Sequence, residues 1–269
     1  MADVDITFAS MLDKIITQGV EINTRNSITK RLTGLQACFT STPLVSVRTT
    51  AWKNAIREME WFLSGSSNIN DLDPKVQHWW KPWADYENEV KNNYSKQLRH
   101  FKNGNVGGFD QVQYFLDAIK NHPNSRRTVM TTWHPAEMAD PSTPITNCHG
   151  TVIQAFVEPD SKLNILMYQR SSDMLLGMPH NWIQYWAFLM WVAKQTGREV
   201  GNFTWIGGDC HVYQDHHELA KEIIQKQLDP GFAPNLVYSG NVGDAFKADH
   251  FSLDKKYEPI ITKSAKMIV

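Results

Sequence analysis

The sequence is short of cysteine, of net charge and of long apolar runs, and each scarcity excludes something. Three cysteines among 269 residues are an odd number in a large chain, so a disulfide framework is not expected and a reducing, cytoplasmic setting is. Lys+Arg 27 against Asp+Glu 28 gives a formal net charge of -1, so no overall field draws the chain toward nucleic acid or an anionic membrane. Any polyanion must be met locally. The most apolar stretch, Trp182 to Ala193, is interrupted by Gln184 and too short to cross a bilayer. The first residues lack a basic flank followed by an apolar core, so no signal peptide is expected. No glycine-rich phosphate fingerprint and no linker-like or low-complexity segment is found. What is abundant is apolar and aromatic material, 42% hydrophobic with 10 Trp and 12 Phe. That suffices for a large core, and one domain spanning residues 1–269 is expected.

Hydrophobic spacing predicts a helix in DITFASMLDKIITQG, a second in VRTTAWKNAIREMEWFLSG and a third in FDQVQYFLDAIKNHP. In the second, Trp52, Ala55, Ile56, Met59, Phe62 and Leu63 form the apolar stripe and Glu58 lies on the same helix. NTRNSITKRLTG reads as a loop or irregular hairpin, and Asp71 to Asn93 has no clean period. RRTVMTTW, HGTVIQAFV and KLNILMYQRS read as strands, the last two joined by a turn at EPDSK. NWIQYWAFLMWVAKQTG, apolar nearly all round, is expected to be a buried helix. GNFTWIGG and NLVYSG read as later strands, with an amphipathic helix in YQDHHELAKEIIQKQL between them. Helices and strands alternate without a regular βαβ beat, so the expected class is α+β, one main mixed β-sheet flanked by helices.

Two Cys-His pairs, Cys148-His149 and Cys210-His211, invite a metal reading. Adjacent strand residues point to opposite faces, and zinc ligands are usually spaced C-x-x-C or H-x-x-x-H, so no metal site is expected. Taken singly, each cysteine is a small buried hydrophobe, and for Cys38, between Ala37 and Phe39, that expectation stands. Cys148 differs in its neighbours. The strand paired with its own ends in YQRSSD, which brings Arg170 alongside to favour a thiolate. Arg170, Ser171, Ser172 and Asp173 together make a cradle for phosphate or a ring edge, or else a solvated loop.

NCHG, YQRSSDMLLGMPHN, IGGDCHVY, NSRR and REMEWFLSG resemble, in order and relative position, the signature segments of the thymidylate synthase family, from about Asp5 to Val269. The resemblance implies a homodimer packed back to back through its sheets. It also implies transfer of a one-carbon unit from 5,10-methylenetetrahydrofolate to ring position 5 of a pyrimidine nucleotide. On the matched positions, Cys148 would add to ring position 6, making position 5 a carbon nucleophile. Glu58, with an ordered water, His149 and Asn181, would move protons at the carbonyl oxygen and at position 5. Arg25, Arg170 and Ser171 would hold the phosphate, with Arg126 and Arg127 reaching in from the other subunit. His211 and Tyr213 would bond the sugar hydroxyl. Asp173 would bond the folate or the base edge. Trp79, Trp80 and Trp83 would line the folate side, and Val269 would end a closing tail. A carboxamide at Asn181 can donate to a carbonyl oxygen while accepting from a ring N–H, which fits uracil; the phage deoxycytidylate hydroxymethylases of this family carry Asp there. The implied substrate is dUMP.

Several positions depart from the family pattern. RNSITKRL replaces a threonine- and glycine-rich loop, Asn147 stands where the synthases place proline, NNYSKQ replaces PVYG, and His180 replaces phenylalanine. A polar His180 or Asn147 could admit and orient water at the exocyclic methylene left after one-carbon transfer. On that ground the expected product is 5-hydroxymethyl-dUMP, with hydride transfer to give thymidylate and dihydrofolate as the alternative. A catalytically silent nucleotide- or RNA-binding regulator is the non-enzymatic alternative, disfavoured by the joint presence of Cys148, Glu58 and Arg170.

Overall fold

The computed structural model describes residues 3–24, 27–103, 106–143, 147–229, 231, 233–263 and 265–268. Helix α1 (Val4–Gln18) starts where the Asp3 carboxylate accepts from the Asp5 and Ile6 amides, satisfying donors that no earlier turn can. A hairpin of β1 (Val20–Asn23) and β2 (Ile28–Phe39) follows, so of the loop or irregular hairpin expected there it is the hairpin that forms, with a second strand of twelve residues. Helix α2 (Trp52–Ser64) ends at Gly65, whose φ of 88° is the left-handed cap expected after its last turn. Short helices α3 (Pro74–Trp80) and α4 (Tyr94–Arg99) fill the segment without period. Then come β3 (Phe101–Asn103), β4 (Val106–Phe109), α5 (Gln111–Asn121), β5 (Val129–Met130), α6 (Pro135–Met138), β6 (Val152–Val157), β7 (Lys162–Asp173), α7 (Gly177–Thr196), β8 (Glu199–Tyr213), α8 (His217–Ile224), β9 (Leu236–Tyr238) and β10 (Phe251–Leu253).

The main sheet runs β1-β2-β8-β7-β6-β5, antiparallel throughout except for the β7–β8 pair, which is parallel. The α+β class with one mixed sheet flanked by helices is therefore what the chain adopts. Among the described residues no helix is long and apolar enough to cross a membrane.

The parallel pair needs a crossover, and α7 supplies it. Nearly every side chain of α7 is buried, Trp182, Ile183, Tyr185, Ala187 and Leu189 almost completely, which explains its lack of a polar face. Each such large apolar side chain contributes about 1.5–3 kcal/mol on burial, so α7 is the post on which β7, β8 and α2 are mounted. Its burial carries Asn181 and Gln184 inward with it.

Two expectations change. Cys38 is exposed, not buried: Ala37 and Phe39 face the core, and strand alternation turns the residue between them to the outer face. Strand β8 does not stop at Gly207-Gly208 but continues to Tyr213. A Cβ at Gly207 would collide with the Trp205 ring, and one at Gly208 with the Tyr168 hydroxyl. Those glycines make room for aromatic rings and do not end the strand.

Candidate active site

The Cys148 loop is braced from three sides. Arg170, on β7, donates its backbone N–H to Cys148 O at 2.8 Å and its Nε–H to Asn147 O at 3.2 Å, and its guanidinium lies over the Trp133 ring at 5.3 Å. Asn147 is fully buried and donates Nδ2 to Thr132 O at 2.9 Å. Gly150 adopts a φ of 61° and passes so close to Tyr185 Oη that a side chain there would collide with it. The spacing read from sequence thus does bring Arg170 to Cys148.

Tyr94, at the first position of α4, completes the surroundings of the thiol. Its hydroxyl accepts from the Cys148 amide at 2.8 Å and lies 3.3 Å from Sγ. Having accepted from the amide, the hydroxyl has its own proton to give to the sulfur. Burial nevertheless pushes the thiol above its usual range, opposed by the Tyr94 hydrogen bond and the Arg170 charge and reinforced by Glu58. Arg170 thus favours the thiolate as expected of a nearby cation, but desolvation outweighs it.

Glu58, inward-facing on α2, accepts from Trp80 Nε1 at 2.6 Å and from Gln184 Nε2 at 2.8 Å. Burial raises its carboxyl to about 7 against those two donors, which poises it to gain or lose a proton near neutrality. His149 stacks on Tyr94 (centroids 4.2 Å, interplanar 11°), and its Nδ1 is 3.0 Å from Tyr185 Oη. Burial drives the His149 imidazole down to about 3, so it is neutral.

Asn181 lies at the same end of α7. Its Oδ1 accepts from Gln169 Nε2 at 2.9 Å and its Nδ2 donates to Gln184 Oε1 at 3.3 Å. Among the described residues each of these atoms keeps one unused bonding position, a lone pair and an N–H, which is the pair that uracil requires.

The strand ends supply a cleft. Register sets Arg31 beside His211 and His211 beside Asp173. A cavity of about 260 Å³ is lined by Ile22, Thr24, Thr29, Arg31, Ser171, Asp209, His211 and Tyr213. His211 Nδ1 is 2.9 Å from Asp209 Oδ1, and Arg31 meets the other oxygen at 3.3 Å. Asp173 Oδ1 accepts from the Leu175 and Leu176 amides, and its charge acts on the buried Arg48 guanidinium. Arg25 and Val269 lie outside the described residues.

Other expected site residues sit apart or serve differently. Arg126 and Arg127 are exposed on the turn before β5, where Gln154 holds the Arg126 carbonyl and Tyr114 the Arg127 carbonyl. Trp80 is buried and joined to Glu58, while Trp79 and Trp83 remain partly exposed. Trp79 packs edge-on against His180 at 5.4 Å. His180 Nε2 accepts from the Ala51 amide at 3.1 Å, so Nδ1 carries the proton and donates to Leu176 O at 2.7 Å. Burial pushes the ring down to about 4. Both nitrogens are therefore committed to backbone, and His180 is a neutral latch between α2 and α7, with no atom left to orient water as its polarity had suggested.

Sequence reasoning missed Tyr94, Tyr185, Gln169, Gln184 and Arg31. Tyr94 stood in the NNYSKQ segment that had been set aside as a departure, and Gln184 was noticed only as a break in an apolar run. A polar residue inside an otherwise apolar helix was the available signal, since a buried amide must find partners.

A half-buried thiol with a phenol donor, a neutral imidazole, a carboxyl poised near 7 and a carboxamide, beside a cleft carrying arginine, serine, histidine and tyrosine, is an arrangement of the kind found in enzymes that act on polar rings. Among the described residues no group of three or more His, Cys, Asp or Glu side chains is placed to hold a metal. The thymidylate synthase profile matches residues 6–269. A thymidylate synthase of Corynebacterium aurimucosum is 34% identical over 228 residues, 83% of this chain and 84% of that one. One from Vesicomyosocius okutanii is 37% identical over 176 residues, 65% of each. The chain belongs to the thymidylate synthase family, whose reaction is folate-dependent one-carbon transfer to dUMP with 5,10-methylenetetrahydrofolate as co-substrate.

Proposed function

We propose that this chain is a thymidylate synthase proper: a homodimer that finishes the reaction with hydride, producing dTMP and dihydrofolate. The observation that carries the reading is that His180, the polar departure expected to orient water, is held on both nitrogens by backbone. With no ring nitrogen of His180 left to position a water, hydride is the nucleophile left for a methylene formed beside Cys148. The names of the two relatives support the same outcome.

Cys148 Sγ bonds to ring position 6 and the electron pair moves to position 5, which bonds to the one-carbon unit. The folate supplies that unit and, at the end, the hydride. Tyr94 and Arg170 favour the thiolate once the substrate is bound. Asn181 reads the carbonyl oxygen and the ring N–H. Glu58 accepts the proton leaving position 5 as the bond from the one-carbon unit to the folate nitrogen breaks, which leaves an exocyclic methylene on position 5, and His149 stays neutral beside it. Hydride addition and loss of Sγ from position 6 restore the ring double bond.

Arg170, Ser171, His211 and Tyr213 carry the phosphate and sugar, with Arg126 and Arg127 given by the partner across the outer face of the sheet. Support for that arrangement comes from the outer face itself. Gln154, which holds Arg126, alternates there with half-exposed Val152 and Phe156, so the two arginines stand beside apolar surface suited to a second copy.

One observation favours the water-terminated product, 5-hydroxymethyl-dUMP. Asn147 Oδ1 is buried beside the nucleophile without a partner among the described residues, and an acceptor so placed could hold a water. Absorbance and nucleotide mass decide between the two. Dihydrofolate and dTMP appearing in step are expected; tetrahydrofolate with a hydroxymethyl nucleotide would reject the hydride reading.

A further inference from the structure

Between the base-reading amide and the carboxyl lies a residue with no assigned role. We propose that Gln184 is a positioning residue which locks the orientation of Asn181 and couples it to Glu58, so that base choice and proton transfer are set by one chain of hydrogen bonds. The inference rests on the reading of Asn181 as the residue that contacts the base.

The chain has a direction, fixed at both ends by groups that cannot reverse. Trp205 Nε1 can only donate, and it does so to Gln169 Oε1 at 2.9 Å. Gln169 Nε2 then spends its hydrogens on Asn181 Oδ1 at 2.9 Å and Ser171 O at 3.1 Å. At the other end Gln184 Nε2 spends its hydrogens on Ala55 O at 3.1 Å and Glu58 Oε2 at 2.8 Å, both acceptors. Gln184 must therefore offer Oε1 to Asn181 Nδ2. Asn181 is caught between a donor and an acceptor, and a flip of its amide would set donor against donor and acceptor against acceptor in a buried site.

Trp205 and Gln184 are fully buried, and Gln169 nearly so, so water cannot repair such a mismatch. The free N–H and lone pair of Asn181 are presented in the order uracil needs, and cytosine, which reverses the order, is refused. Gln184 also donates to the ionised form of Glu58, whose other electrostatic neighbours are Cys148 and Tyr185.

Two variants of the full-length protein separate these effects. Gln184→Met keeps the volume but removes both contacts: the preference for dUMP over dCMP should fall about tenfold or more, in calorimetric binding as well as in kcat/KM. The rising limb of the pH profile should move to higher pH. Gln184→Glu keeps the oxygen facing Asn181 but adds a second acid beside Glu58. It should retain the base preference while moving the limb upward. A purely structural role would lower stability or turnover and leave both the base ratio and the pH midpoint where they were, and that result in either variant would overturn the coupling. A wild-type protein without preference for dUMP over dCMP would instead overturn the reading of Asn181 on which the inference rests.

Discussion

The hydroxyl of Tyr94 touches both the backbone and the sulfur of Cys148, at 2.8 Å from N and 3.3 Å from Sγ. One phenol thus fixes the position of the nucleophile and faces its charge. Burial holds the thiol above its ordinary range, so the Tyr94 hydroxyl, with the Arg170 charge and a backbone hydrogen bond, is among the features that make the thiolate reachable.

Tyr94→Phe should keep the ring stack on His149 and lose both the donor facing the sulfur and the acceptor for the Cys148 amide. A hydrogen bond to a charged group is worth about 1.5–3 kcal/mol, or about ten- to a hundredfold in kcat. The pH midpoint for alkylation of Cys148 by iodoacetamide should rise, because the lost bond favoured the thiolate.

Glu58 predicts the acid side of the pH profile. Burial lifts its carboxyl from 4.5 to about 7, and the carboxylate is the form able to accept a proton. Activity should fall as pH decreases through about 7. Glu58→Gln should abolish that limb and lower kcat by about 10²–10⁴, since its amide must also turn an NH₂ toward either Trp80 or Gln184.

His180 predicts a stability effect that is likewise lost as pH falls, though its own shift is downward where that of Glu58 is upward. Its folded-state value of about 4 lies below the ordinary 6.5, so the unfolded chain takes up a proton that the folded chain refuses. The stability linked to this group is present above about 6.5 and lost as pH falls toward 4. His180→Phe sacrifices two hydrogen bonds, about 1–3 kcal/mol at pH 8, and denaturant titrations should find the deficit against wild type shrinking at pH 5. The product should not change.

Much of this was legible in the sequence where a single residue type had one plausible environment. The stripe of α2 and the all-round apolarity of α7 specified which faces go inward, and the pairing of β6 with β7 placed Arg170 next to Cys148. Less was legible where meaning depended on a distant partner. Gly207 and Gly208 looked like a strand end because the rings of Trp205 and Tyr168 that fill their space cannot be seen locally. Cys38 looked buried because it lies between two apolar residues, Ala37 and Phe39, and it is those two that alternation turns to the core. His180 looked like a water ligand because its polarity was visible and its two backbone partners were not.

The proposed sharing of Arg126 and Arg127 between subunits predicts complementation. Cys148→Ala dimers and Arg126→Ala/Arg127→Ala dimers should each be inactive. Unfolding and refolding them together should restore roughly a quarter of the sites, since half of randomly paired dimers are mixed and each holds one intact site. Recovery should be absent if each subunit uses its own arginines.

The central claim is that hydride, not water, completes the product, and a double-label experiment tests it most directly. The protein is incubated with dUMP and methylenetetrahydrofolate deuterated at pterin carbon 6, in ¹⁸O-water, and the nucleotide is weighed by mass spectrometry. The account predicts thymidylate carrying deuterium and no ¹⁸O in its new methyl group; 5-hydroxymethyl-dUMP carrying ¹⁸O and no deuterium would contradict it.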